Sequence, residues 1–144
     1  MYIILNSADG YICPKFLQGL SLPHLMAKKN CVLLGPSNLG KRMALLIACL
    51  QIIDPSLPHC QAILLTSCRE EAFSLYDTIT KLCSGLGINC RVLVGGRILR
   101  QDITMLQAEG VQLVFGTPGR IKDLILRRSL RTDYILYYGL IDFD

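Results

Sequence analysis

Short continuous apolar runs alternate along this chain with longer stretches whose apolar residues recur every three or four positions. The runs at 31–34, 62–65, 91–94, 111–115 and 134–141 have the length of buried strands. Between them Ala72, Leu75, Tyr76 and Ile79 share one helical face, predicting a helix over 69–82 that Gly85 and Gly87 end. The same spacing predicts helices over 98–108, with Ile98, Met105 and Leu106 inward, and over 120–127. Upstream, 15–27 reads as helical with an interruption at Pro23, which lacks the N–H a helix interior uses. The stretch 41–53 predicts a helix too apolar to lie on a surface, stopped by Pro55 and Pro58. Strands alternating with helices predict an α/β fold with a mostly parallel sheet flanked by helices. There is no repeat and no Pro/Gly/Ser-rich linker, so a single domain over 1–144 is expected.

Composition sharpens this picture in two places. A hydrophobic content of 51% against 18% charge is rich for a domain of 144 residues, and no apolar run approaches a membrane span. The excess predicts strands buried on both faces, as parallel strands are, or a covering part of the domain that this sequence does not include. The cysteine count is seven, with no CxxC pair and most thiols inside apolar runs. They predict buried thiols of an intracellular protein, cytoplasmic with the nucleus as the alternative, and neither a disulfide frame nor a metal site. His24 and His59 are isolated and predict no metal centre. Seven of the fifteen cations, Arg97, Arg100, Arg120, Lys122, Arg127, Arg128 and Arg131, crowd into a quarter of the chain, as a solvated helix face or a polyanion contact would require.

Candidate chemistry centres on Gly35-Pro36-Ser37-Asn38-Leu39-Gly40-Lys41-Arg42, between an apolar run and a predicted helix. A glycine-bounded loop opening onto a helix N-terminus aims backbone N–H groups at one point, and the helix dipole favours an anion there. Gly35, Ser37, Asn38 and Gly40 would form such a phosphate loop, with Lys41 adding a point charge. The following position, where Ser or Thr would hold Mg²⁺, is Arg42. A strand-to-helix turn with incidental glycines accounts for the same letters.

Further motifs follow in a definite order. Gly10-Tyr11-Ile12-Cys13-Pro14-Lys15-Phe16-Leu17-Gln18, Ser67-Cys68-Arg69-Glu70-Glu71-Ala72, Gly95-Gly96, Thr117-Pro118-Gly119-Arg120 and Ile141-Asp142-Phe143-Asp144 succeed one another at wide spacing. Together they resemble the first RecA-like lobe of DEAD-box RNA helicases, from the Q motif through PTRELA, GG and TPGR to DEAD, over nearly the whole chain. The resemblance implies a P-loop RecA-like lobe cut off after the DEAD-equivalent strand, since the family continues with a further strand and a second lobe. It implies that Gln18 reads adenine with Tyr11 packed nearby, that the 35–42 loop holds the phosphates of ATP, and that Asp142 and Asp144 stand at the catalytic positions. It implies also that Arg69, Gly95, Gly96, Thr117, Gly119 and Arg120 grip the backbone of RNA without reading its bases.

Departures from the family pattern concentrate on the nucleotide side. Arg42 replaces the P-loop Thr, Asn38 the mid-loop Gly, Ile141 the first Asp of DEAD, and Asp142 the longer Glu. A hard cation needs oxygen ligands, and neither Arg42 nor Ile141 supplies one. The expectation is thus a helicase-like RNA-binding lobe that can retain nucleotide binding while having lost Mg²⁺ and hydrolysis, a pseudoenzyme. An active ATP-dependent RNA helicase in a longer protein and a scaffold for protein partners are the alternatives. Tudor-domain proteins are one setting in which such divergent lobes occur.

Overall fold

The computed structural model describes residues 13–142, which fall into two compact units, residues up to Ile52 and residues from Ile53 onward. Each unit follows its own physical logic.

In the first unit α1 (Phe16–Met26) packs on α2 (Lys41–Ile52) through Leu25, Ala44 and Ala48, with Leu22, Leu33 and Leu45 around them. The small Ala44 and Ala48 lie one turn apart and let the two helices approach closely. At the start of α1 the Gln18 side chain turns back and its Oε1 accepts the Lys15 backbone N–H at 2.9 Å, one half of a capping box. The expected interruption at Pro23 does not occur, and α1 runs through it. Proline removes only its own bond toward Gly19, and the ladder resumes with Ala27 N–H donating to the Pro23 carbonyl at 3.1 Å. The run 31–34, expected to be a strand, is not one. A strand exists by pairing, and none of the four paired strands among the described residues includes this run; Val32 and Leu34 are each 83% exposed.

The second unit is a parallel sheet of β1 (Ala62–Thr66), β2 (Cys90–Leu93), β3 (Leu113–Gly116) and β4 (Tyr137–Ile141), in the order β2-β3-β1-β4. Central β1 pairs Ile63 with Val114 on one side and with Tyr138 on the other. Both faces of β1 and β3 are buried, as the apolar excess predicts, whereas on β4 Tyr138 and Leu140 are 58% and 63% exposed. Ile63, Val114 and Leu93 join Ile121 and Leu124 in one cluster, while the alternating Ala62, Leu64, Leu113 and Phe115 are also shielded from solvent. The helices α3 (Arg69–Leu82), α4 (Leu99–Ala108) and α5 (Pro118–Leu126) connect the strands. Ala72, Leu75 and Ile79 are buried on α3 as expected. On α4 the inward set shifts. Leu106 packs on the core as expected, but Ile98 is the N-cap and 64% exposed, and Leu99 and Ile103 join Leu106 instead, because the helix starts one residue later.

Two features escaped the sequence pattern. Gln61 and Gln112 are buried, and their amides tie loops rather than bind anything outside. Gln61 Nε2 donates to the Asp54 carbonyl at 2.7 Å, and Gln112 Nε2 to that of Leu57 at 3.0 Å. The last strand begins at Tyr137 rather than at 134, where the Tyr134 ring stacks on His59 with centroids 4.2 Å apart. Cysteines divide: Cys49, Cys60, Cys83 and Cys90 are buried, but Cys13, Cys31 and Cys68 are exposed, so burial is not general.

Candidate functional site

The phosphate-loop candidate lies in the first unit. Its backbone takes left-handed values at Asn38 (φ 65°) and Gly40 (φ 80°). Asparagine is among the few side chains that adopt this region readily, which explains how the mid-loop glycine of the resembled pattern is dispensable here. Gly40 is required twice over. A Cβ there would lie 2.4 Å from Gln18 Nε2, and that amide donates to the Gly40 carbonyl at 3.3 Å. Gln18, only 8% exposed, thus ties α1 to the loop with both ends of its amide. The Lys41 ammonium donates to the Gly35 carbonyl and, at 3.0 Å, to that of Pro36, closing the loop on itself. Lys15 donates to the Asn38 carbonyl at 2.6 Å, a second tie between the start of α1 and the loop. Ser37 and Arg42 are exposed. Tyr11 and Asp144 lie outside the described residues.

In the second unit Ile141 is 2% exposed at the end of β4, in register with Thr66 of β1. The next residue, Asp142, is exposed with φ 50°, a conformation Asp tolerates better than most side chains. Among the described residues no group of three His, Cys, Asp or Glu is placed to hold a metal ion, and no helix is long and apolar enough to cross a membrane.

The glycine and arginine motifs of this unit converge. In a parallel sheet the loops at the carboxyl ends of the strands surround the usual ligand crevice. Here the ends of β1, β2 and β3 border an open depression of about 700 Å³, lined among others by Ser67, Arg69, Gly95, Thr117, Gly119 and Arg120. Two helices, α3 and α5, begin at this place, and neither Cys68 nor Thr117, their N-caps, closes its first turn with a side-chain hydrogen bond. Their N–H groups and dipole ends therefore give the depression a positive backbone lining. The Arg69 guanidinium lies over the glycine pair. A Cβ on Gly96, whose φ is +84°, would sit 2.4 Å from Arg69 Nη1, and one on Gly95 would sit 3.5 Å from Nη2. At Gly116, a Cβ would meet the Leu93 carbonyl at 2.4 Å, so this glycine serves close packing of β3 on β2. Gly119 differs from both. Nothing lies within 4 Å of a Cβ built there, and its backbone is helical, so folding gives no reason for a glycine.

Arg120 occupies a different setting from that expected. Its Nη1 donates to Asp102 Oδ2 at 3.0 Å and its Nη2 to the Arg97 carbonyl at 2.6 Å. The two side chains are 9% and 4% exposed, making this a buried ion pair. Burial pushes the Asp102 carboxyl above its usual range, and the charges of Arg120 and then Arg97 pull it back in part. Asp102 was not singled out from the sequence. Its only visible signal is a carboxylate in the first turn of a helix, which reads as a favourable dipole contact.

Comparison with known proteins places this geometry. The DEAD/DEAH box helicase profile matches residues 16–138. "ATP-dependent RNA helicase eIF4A" of Schizosaccharomyces pombe is 34% identical over 137 residues, covering 95% of this chain and 35% of that protein. The eIF4A of Aspergillus clavatus is likewise 34% identical, over 95% of this chain and 34% of its own length. The chain thus spans about a third of the curated relatives it matches. A solved DEAD box protein from the hyperthermophile Methanococcus jannaschii superposes with a TM-score of 0.86 at 27% identity, covering 93% of this chain and 36% of that one. S. cerevisiae Dbp5, solved bound to RNA and ADP BeF3, shares the fold with a TM-score of 0.81 at 23% identity, over 93% of this chain and 34% of its own. With the profile match over most of its length, the parallel sheet and the assembled motifs in agreement, the chain belongs to the DEAD/DEAH box helicase family.

Proposed function

We propose that this chain is part of a helicase lobe that holds single-stranded RNA by its backbone, with nucleotide binding retained in weakened form and ATP hydrolysis lost. The observation that carries the RNA reading is the depression at the carboxyl edge of the sheet. Arg69, the Gly95-Gly96 turn and the start of α5 meet there, and Gly119 leaves open a space that folding does not require. A phosphate-sugar chain needs such a place: free helix N-terminal donors, a guanidinium, and glycines that allow close approach. Contacts of this kind position a strand without reading bases, so affinity should be sequence-independent and fall with salt.

On the nucleotide side the donor set does not fit Mg²⁺. Arg42 offers a cation and Ile141 a buried hydrocarbon where oxygen ligands are needed. Asp142 retains a carboxylate, but one methylene shorter than the Glu of the resembled motif. Binding of ATP through the loop requires Lys41 to release the Gly35 and Pro36 carbonyls, which offsets part of any phosphate contact it gains. In a longer protein the same lobe would act with further segments, and its activity there is part of this proposal.

The test is single-stranded RNA binding by the full chain across a salt series, with Arg69→Ala and Gly119→Val. Both variants should weaken binding while leaving the thermal unfolding midpoint nearly unchanged. Wild-type binding that neither substitution touches would assign these motifs to folding alone and favour the scaffold. Phosphate release is measured alongside and should stay at background with and without Mg²⁺.

A further inference from the structure

We infer that Arg120 serves the RNA face as a positioning residue, held in place by Asp102, and does not itself contact phosphate. This inference rests on the reading of the depression as an RNA site. Three pieces of chain meet at one guanidinium. Asp102 belongs to the first turn of α4, the Arg97 carbonyl to the loop that follows Gly95-Gly96, and Arg120 to the first turn of α5, beside Gly119. The bond to Arg97 fixes where the glycine turn stands relative to the α5 N-terminus, and the bond to Asp102 fixes the guanidinium that makes it. With its side chain 9% exposed and both terminal nitrogens given to the protein, Arg120 has little left to offer a strand in solvent. Arg69 is the contrast: it is exposed and lies directly over the glycine pair.

Exchanging Asp102 for a phosphate at Arg120 would leave that carboxylate buried beside no partner but Arg97, the other cation acting on it. An uncompensated buried charge is far costlier than a surface phosphate contact is favourable. The pair therefore stays closed when RNA arrives. It sets the distance between two of the groups that RNA meets, and Asp102 acts on binding only through Arg120.

The slope of affinity against salt separates the two roles. Removing one neutralised phosphate of a single strand from the interface lowers the slope of log K against log salt by about 0.7. Arg69→Ala, Asp102→Asn, Arg120→Met and the double variant Asp102→Asn/Arg120→Met are compared in the full chain, each shown folded by circular dichroism at the assay temperature. Asp102→Asn and Arg120→Met should each weaken RNA binding by about tenfold, the scale on which supporting residues act at metal sites. Neither should change the salt slope, whereas Arg69→Ala should lower it. The double variant should bind no worse than either single one, because both break the same tie. If Asp102→Asn does not fold, Asp102→Glu, which keeps the charge on a longer arm, should show a smaller loss at the same slope. A lower slope for Arg120→Met, matching Arg69→Ala, would make Arg120 a phosphate contact and overturn the inference. Wild-type affinity in Asp102→Asn or Asp102→Glu would overturn it also. Absence of RNA binding by the wild type removes the site reading itself and this inference with it, an outcome distinct from the other two.

Discussion

Restoring the first carboxylate of the DEAD pattern by Ile141→Asp should destabilise the protein strongly at neutral pH and much less in acid. Ile141 is 2% exposed. Removing a fully buried isoleucine side chain costs about 1.5–3 kcal/mol. The new carboxyl must then be either ionised in a dry place or kept protonated. Keeping a group of ordinary pKa near 4 protonated at pH 7 costs about 4 kcal/mol, at about 1.4 kcal/mol per unit. Together these amount to roughly 5.5–7 kcal/mol, comparable with the whole stability of a typical domain, about 5–15 kcal/mol. The sign follows from proton counting. A carboxyl whose folded pKa is raised binds more protons in the folded state, so its stability contribution is fullest below the unfolded pKa and is lost as pH rises toward the folded one. Urea unfolding of Ile141→Asp, with Ile141→Asn as the reference without a titrating group, should show the gap to wild type widening by about 1.4 kcal/mol per unit between pH 4 and 7. A pH-independent gap would refute the reasoning. It would mean that the end of β4 already offers donors to an ionised carboxylate.

Three further outcomes test other parts of the structure. Gly96→Ala should lower the urea midpoint through a left-handed φ cost of about 1–2 kcal/mol and displacement of Arg69, whereas Gly119→Ala should hold or raise it by up to about 1 kcal/mol as a helix-favouring change; equal effects would contradict the geometry of the two turns. The folded carboxyl of Asp102 is raised by burial, so wild-type stability should fall across the pH window just above the ordinary carboxylate value. The penalty of Asp102→Asn should accordingly be greatest in acid and shrink toward neutrality; a penalty that grows with pH would show Coulomb attraction outweighing burial. Under native conditions a thiol reagent should label Cys13, Cys31 and Cys68 and spare Cys60, whose thiol burial pushes up to about 12; mass spectrometry showing early modification of Cys60 would contradict its burial.

Features that depend on near neighbours are legible in the order of residues alone. The period of apolar positions set α3 to its observed ends at Arg69 and Leu82 and set the order of strands and helices, because side-chain direction follows from local backbone geometry. The order of short motifs pointed to the family, and some of them carry a local backbone requirement: glycine where φ is positive, as at Gly40 and Gly96. Tertiary structure decided what depends on partners far along the chain. The run 31–34 is as apolar as any strand here, yet pairing and not composition makes a strand, and it joins none of the four that pair. Arg120 looks like Arg69 in the sequence. Only folding brings Asp102, eighteen positions away, to its guanidinium and makes Arg120 one end of a buried ion pair. An ion pair's role is fixed by its surroundings, and those are assembled by the fold.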